Sequence, residues 1–471
     1  MDVKDARALT RYIPAHATMQ SIVIFAAIFA NALVTRVSAF RVAFVADTGI
    51  GNDRPSDPWT DYQGNLRQPS YLVDGVECTN YKGEYCGEFS RARDVFKVAR
   101  DAGAELIIHA GDMDYASSPI SWLRFLTENV FRPGLGYLAC KGNHDVDGWD
   151  GVRDLWSGPR GYQALLSRQI PPDARCRGSY GDDFSCEYKG VLFVMSSVGS
   201  DNPGESANRA HTDFIENALR SSDAKWKICV WHMTMSATQT SYKEDATGWR
   251  AYEICRRYGA LIITGHAHTY SRSYTMKSFG REVYSFTRQD LQVASYDNSF
   301  IALQPGDGGT TGVIVVGIGG YKNEEAQKDS GIWAKIYSTS CQGAGNTCQY
   351  ANDANKYGTL ICDFDASAST APCYLATTAR RDATDAEIQS RERVKVDEFT
   401  LLLRPGSTPS NPSSSPSPSP SSPQPSPAAS SCVDVPPPGD ASCEDQRAWG
   451  KCDRDFILRG GYCRKSCSRC A

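Results

Sequence analysis

Between Glu105 and Asp145 the chain reads Leu106-Ile107-Ile108-His109-Ala110, then Gly111-Asp112-Met113-Asp114-Tyr115. Further on it reads Gly136-Tyr137-Leu138-Ala139-Cys140, then Gly142-Asn143-His144-Asp145. A short apolar run bounded by glycine reads as a buried strand of a parallel sheet. In open α/β sheets, ligands bind just beyond the carboxyl ends of such strands. The two runs therefore predict neighbouring strands that deliver carboxylates, a phenol, an amide and an imidazole to one rim.

The same pattern recurs on both sides of this stretch. Arg41 to Ala46 is an apolar run that ends in Asp47-Thr48-Gly49, and the spacing of Ala92, Val95, Phe96 and Ala99 predicts an amphipathic helix over Phe89 to Ala102. Strand, helix and strand in that order make a parallel βαβ unit. Further strands are expected over Val191 to Ser197, Trp226 to Trp231 and Ala260 to Thr264, with helices over His211 to Arg220 and Gly248 to Tyr258. Later runs (Gly312 to Gly317, Gly358 to Phe364, Cys373 to Thr377, Phe399 to Leu403) have short connections that fit extra sheet strands. The fold expected is α/β, a two-sheet sandwich flanked by helices, followed by a small disulfide-rich domain.

Composition sets the limits. The chain has 471 residues, 41% of them hydrophobic, enough for a sizeable core and more than one domain. Its net charge of -4 and lack of a long basic run give no footprint for nucleic acid. Seventeen cysteines point to an oxidising compartment. Lys4, Arg7 and Arg11 precede an apolar core from Ile22 to Val34 and the small-residue pattern Val37-Ser38-Ala39. That core is shorter than the ~20 residues that cross a bilayer. Residues 1–39 therefore read as a signal peptide, with an uncleaved anchor as the alternative. A secreted, extracellular or vacuolar protein with no membrane attachment after cleavage is expected.

Residues 40–404 form the expected catalytic domain. Residues 405–431 are almost wholly Pro and Ser and cannot bury a core; they should be an extended linker reaching on the order of 80 Å. Residues 432–471 hold Cys432, Cys443, Cys452, Cys463, Cys467 and Cys470, which allow three bridges in a separate stapled module. The catalytic part keeps eleven cysteines, so at least one is unpaired, with Cys140 and Cys229 as candidates; Cys78 and Cys86 would clip the polar segment that precedes the first helix.

Five clusters follow strand-like runs: Asp47; Asp112 with Tyr115; Asn143 with His144; His232; and His266 with His268. Singly, each also fits a cap, a turn or a satisfied polar group. Together their types suit metals, because carboxylate, phenolate and amide oxygens are hard ligands and imidazole is intermediate. Two metals about 3.5–4 Å apart are a standard device for cleaving phosphate esters.

In this order, Asp-x-Gly, Gly-Asp-x-x-Tyr, Gly-Asn-His-Asp, a strand-end His and Gly-His-x-His resemble the calcineurin-like metallophosphoesterases. Within them the pattern is most similar to the purple acid phosphatases. Gly49 stands where many superfamily members carry histidine, and Tyr115 stands three residues after the second aspartate. The resemblance covers roughly Phe40 to Gly320. It implies a binuclear centre in which Asp47, Asp112, Tyr115 and His268 hold Fe(III). Asp112, Asn143, His232 and His266 would hold a divalent zinc, manganese or iron, with Asp112 bridging. The net charge would be about +2, which attracts a phosphate monoester dianion. The implied reaction is monoester hydrolysis by a metal-held hydroxide, with His144 contacting the phosphate or protonating the leaving alcohol. Asp145 is expected to orient a neighbour. The family's second acid histidine is absent from Met233 to Tyr242, leaving Tyr242 or solvent for that place. Tyr270 and Arg272 are open to either pocket lining or packing. A phosphodiesterase or nucleotide hydrolase is the near alternative, and an inactive matrix-binding protein the distant one. The tail, with Trp449-Gly450-Lys451-Cys452 and Cys463-x3-Cys467-x2-Cys470, resembles ShK-toxin-like modules and is a candidate for cell-wall or matrix contact.

Overall fold

A computed structural model describes residues 39–49, 91–115, 119–150, 161–280, 291–342, 347–351, 357–378 and 395–409. It also describes short pieces at 59–60, 66–67, 117, 434, 443–448, 452, 463 and 465–467. The expected signal peptide, almost all of the linker and the expected Cys78–Cys86 clip lie outside the described residues. The chain divides into two compact units, Met1–Ser410 and Asn411–Ala471.

The first unit contains two large sheets. One runs in the order Phe300–Leu303, Lys395–Leu403, Thr370–Thr377, Gly358–Phe364, Phe40–Val45, Leu106–His109, Gly136–Ala139. The other has nine strands; its middle is Val313–Val316, Leu261–Thr264, Trp226–Val230 and Val191–Ser196, all parallel. In the first sheet Phe40–Val45, Leu106–His109 and Gly136–Ala139 are likewise parallel neighbours.

Why these strands read as unbroken apolar runs is clear from their two faces. In the second sheet Phe193, Ile228, Ile263 and Ile314 enter the core shared with the first sheet. Their alternating neighbours Val194, Cys229, Ile262 and Val313 enter a separate core that includes Ile215, Leu219, Tyr252 and Ile254. The last four belong to the helices Arg209–Arg220 and Trp249–Arg257. Both faces are dry, so no polar position interrupts the strand. On the first sheet's side, helix Ala92–Asp101 buries Ala92, Val95, Phe96 and Ala99, the four residues whose spacing announced it. It packs on Gly358–Phe364 and Thr370–Thr377. The two-sheet sandwich with flanking helices is the architecture expected from the sequence.

Several elements differ from expectation. A helix at Pro119–Asn129 was not anticipated, nor was the edge hairpin of Arg175–Ser179 with Asp183–Tyr188, which the Cys176–Cys186 disulfide spans. Strands Thr370–Thr377 and Lys395–Leu403 begin earlier than their apolar runs, and Cys362–Cys373 bonds across the first of them to Gly358–Phe364. Tyr270 and Arg272 prove to be packing residues. Tyr270 Oη donates to Asp397 Oδ2 at 2.8 Å, and Arg272 Nε and Nη2 donate to the two oxygens of Asp397 at 2.7 and 2.9 Å. In the second unit, Cys443–Cys463 and Cys452–Cys467 are disulfides, and Cys443–Ala448 is a helix.

The Arg272–Asp397 pair yields a test. Arg272 is buried, so Asp397→Ala leaves its guanidinium without its bidentate acceptor. Breaking a buried pair from one side costs about 3–5 kcal/mol. Urea unfolding of the variant should show a loss of that size; a loss below about 1 kcal/mol would contradict the assignment.

Candidate metal centre

Parallel neighbours send their carboxyl ends to the same edge, and the candidate ligands sit there. Asp47 follows Phe40–Val45, Asp112 follows Leu106–His109, and Asn143 and His144 follow Gly136–Ala139. From the second sheet, His232 follows Trp226–Val230 and His266 follows Leu261–Thr264. Asp47, Asp112, Tyr115 and His266 all adopt positive φ, between 54° and 67°. Non-glycine residues pay for that conformation and hold it where the surroundings impose it, as at functional sites.

The side chains converge as two linked groups. In the first, Tyr115 Oη donates to Asp47 Oδ1 at 2.8 Å and lies 3.0 Å from His268 Nε2, which is 3.3 Å from Asp47 Oδ1. In the second, Asp112, His232 and His266 bring one donor atom each within 4.8 Å of one another, with His232 Nε2 3.0 Å from Asp112 Oδ2. Asp47 Oδ1 lies 3.9 Å from His232 Nε2 and links the groups. Asn143 belongs to the same rim by its position in the chain, and its Oδ1 is buried with no hydrogen-bond partner. His144 is half-buried, its ring 4.6 Å from that of Tyr115, and its N–H donates to Asp112 Oδ1 at 2.9 Å.

Two imidazoles are oriented from behind. His232 Nδ1 is 2.8 Å from the Ala110 carbonyl, and His268 Nδ1 is 2.5 Å from the Lys322 carbonyl. A carbonyl only accepts, so each Nδ1 carries a proton and each Nε2 is the ring atom turned towards the centre. His232 Nε2 is fully buried and makes no hydrogen bond, although a carboxylate oxygen lies 3.0 Å away. Two buried carboxylates, ring nitrogens turned towards them and a buried amide oxygen without a partner at the same rim are groups that a cation would satisfy.

The electrostatics agree. Burial opposes charging His232, but the Asp112 and Asp47 carboxylates outweigh it and push the imidazole up to about 9, so without a metal Nε2 holds a proton that a cation would displace. Burial and the neighbouring His232 hold His266 well below its usual 6.5, as a neutral imidazole suited to ligation. Burial and the Asp47 and Asp112 charges push the Tyr115 phenol well above 10. Only a cation among these oxygens would turn it into a phenolate. The residues present therefore fit a two-cation centre, and all seven expected ligands lie at one rim.

Asp145 binds the rim together. Its carboxylate accepts the N–H groups of Asp112, Met113 and Gly142 at 2.8, 2.9 and 2.8 Å, the orienting role expected of it. Gly142 needs its missing side chain, because a Cβ would collide with Asp112 Oδ1.

Tyr242 is 76% exposed, so nothing packs it towards the centre in place of the absent histidine. Two neighbours of the site escaped sequence reasoning. Tyr321 stacks on Tyr115 with ring centroids 3.4 Å apart and donates its N–H to the Asp47 carbonyl at 2.9 Å. Its only signal was a tyrosine after Gly319-Gly320, beyond the apolar run at Val313–Val316. Lys243 pairs with Glu324 at 2.7 Å, and Glu324 accepts the His268 N–H at 3.3 Å. A second cluster, Asp182, Asp201 and His211, is already served by the buried Lys141 ammonium, 3.3 Å from Asp182 and 2.7 Å from Asp201.

Comparison with known proteins adds the family. The model described as "Calcineurin-like phosphoesterase" matches residues 40–270. Those residues form a calcineurin-like phosphoesterase domain. Among solved structures, a purple acid phosphatase from yellow lupin (Lupinus luteus) seeds is 16% identical, with a TM-score of 0.46, over 78% of this chain and 54% of that one. GAP50, the anchor in the inner membrane complex of Plasmodium, is 11% identical, with a TM-score of 0.42, over 79% and 91%. PhoD is 9% identical, with a TM-score of 0.37, over 73% and 67%. The chain spans about half the length of the lupin protein. No curated protein matches it.

A calcineurin-like domain whose Asp112 depends on the Asp145 clasp should lose metal when the clasp is removed. Asp145→Ala should weaken metal binding about 10–100-fold, read by metal analysis after dialysis against graded chelator. Unchanged retention with unchanged circular dichroism would show that the clasp does not organise the centre.

Proposed function

We propose that the protein is an exported, metal-dependent phosphatase that hydrolyses phosphate monoesters. The observation that carries this reading is the convergence of Asp47, Asp112, Tyr115, Asn143, His232, His266 and His268 on one rim, where the buried Asn143 amide oxygen has no hydrogen-bond partner. Asp47, Tyr115 and His268 would hold a trivalent iron, and Asn143, His232 and His266 a divalent zinc, manganese or iron, with Asp112 shared. Such a pair supplies Lewis acidity towards the phosphate oxygens and a hydroxide nucleophile at mildly acidic pH.

The chain's own residues do the rest. His144 stands beside Tyr115 at the edge of the centre, half-buried and so within reach of a bound ester. There it holds a phosphate oxygen or delivers a proton to the leaving alkoxide. Its backbone N–H fixes the Asp112 carboxylate, so substrate contact and ligand orientation come from one residue. Tyr321, flat against Tyr115, limits how far the phenol can swing. The carbonyls of Ala110 and Lys322 keep the Nε2 atoms of His232 and His268 pointing inwards.

Export is supported by the disulfides among the described residues, three in the first unit and two in the second, which need an oxidising compartment. Among the described residues no helix is long and apolar enough to cross a membrane. The tail would be a ShK-like accessory module that contacts cell wall or matrix and stands apart from turnover.

Two experiments test this. The purified oxidised protein should contain two metals per chain and show a visible tyrosinate-to-Fe(III) band that Tyr115→Phe abolishes, with p-nitrophenyl phosphate cleaved faster than its bis-ester. A colourless, fully metallated, active protein would remove iron–tyrosinate from the account, and faster cleavage of the bis-ester would favour a diesterase. Truncation after Ser410 should leave turnover of soluble substrate within about twofold, equivalent to less than about 0.5 kcal/mol in the barrier. A larger loss would place the tail in the catalytic cycle.

A further inference from the structure

The cysteines of the first unit leave a remainder that metal chemistry does not use. Residues 40–404 hold eleven. Six form Cys176–Cys186, Cys341–Cys348 and Cys362–Cys373, while Cys140, Cys229 and Cys255 are buried thiols. Cys140 lies in the core shared by the two sheets. Cys229 and Cys255 lie in the other core, between the second sheet and its helices. Cys229 belongs to strand Trp226–Val230 and Cys255 to helix Trp249–Arg257, 26 positions apart in sequence, and their sulfur atoms are 2.7 Å apart. That is well inside the about 3.5–4.0 Å at which even carbon atoms pack, and a shift of about 0.7 Å would bring the sulfurs to the about 2.04 Å of a covalent bond. Both side chains are fully buried in the core that also holds Tyr252, Ile254 and Ile262.

We propose that Cys229 and Cys255 form a further disulfide of the first unit, joining the strand that leads into His232 to the helix after the next loop. Each thiol gives up a proton, and the pair's two electrons pass to a disulfide oxidant of the exporting compartment. One S–S bond forms in the protein, and one breaks in the oxidant to give two thiols. The closed loop contains His232, the turn Ser236–Thr238 and Lys243. The bond therefore restricts the unfolded state of a segment that supplies one ligand and borders the centre. The burial that brings the sulfurs together also keeps reductants out, so the link is set during folding and persists afterwards. Cys140, in a different core from both, keeps its thiol. None of this depends on the metals or the substrate.

The test is a map of the bonds in the full chain. Protein held in a glutathione redox buffer until Cys176 is recovered bonded to Cys186 is denatured in N-ethylmaleimide without reductant. It is then digested and read by mass spectrometry. The peptide bearing Cys229 should be recovered bonded to the peptide bearing Cys255, with Cys140 carrying the maleimide. In Cys255→Ala, Cys229 should become a maleimide adduct. Maleimide on both Cys229 and Cys255 in the wild-type sample, or a bond from either to another cysteine, would overturn the proposal.

Discussion

The centre depends on one buried carboxylate that is not itself a candidate ligand. Asp145 accepts N–H groups from Asp112 and Met113 on one strand-end turn and from Gly142 on the next. Burial and the Asp112 charge push its carboxyl up to about 7, while the N–H groups of Met113 and Gly142 pull the other way. The two turns are thus held together by hydrogen bonds to one shared carboxyl group, and these strengthen when it is ionised. Because the clasp ties the end of Leu106–His109 to the end of Gly136–Ala139, it sets where Asp112, Asn143 and His144 meet.

The cost of that arrangement explains much of the surrounding chemistry. Asp47, Asp112, Asp114 and Asp145 are all buried within a few residues of one another in space or sequence. Carboxylates are not buried together unless cations or donors offset their loss of water. Asp145 and Asp114 receive backbone N–H groups. Asp47 and Asp112 receive some, but they also face imidazole nitrogens and a phenol. The positive φ angles of Asp47, Asp112, Tyr115 and His266 are a second cost, held in place by the surroundings of the rim.

How much of this was legible in the sequence follows from the range of each interaction. Strands dry on both faces announce themselves as continuous apolar runs, and the residues that end them were read in order from Asp47 to His268. Helix Ala92–Asp101 showed its buried face directly. Helix Pro119–Asn129 buries Trp122, Phe125 and Leu126 at helical spacing, so its signal was present and passed over. The hairpin's first strand, Arg175–Ser179, is mostly exposed and polar, and its second, Asp183–Tyr188, buries only every other residue, so no apolar run reveals it. Other features were hidden because their partners are remote in sequence. Arg272 is a packing residue through Asp397, 125 positions away, and Lys243 is tied to His268 through Glu324, 81 positions away.

The central claim is that these seven residues hold two cations, one of them on Tyr115. The most direct measurement is anomalous diffraction from crystals of the metal-loaded protein, collected on either side of the iron absorption edge. The account predicts two peaks about 3.5–4 Å apart with Asp112 between them. The peak bonded to the Tyr115 oxygen should strengthen above the iron edge. A single peak, or two peaks with Tyr115 still bonded only to Asp47 and His268, would contradict it.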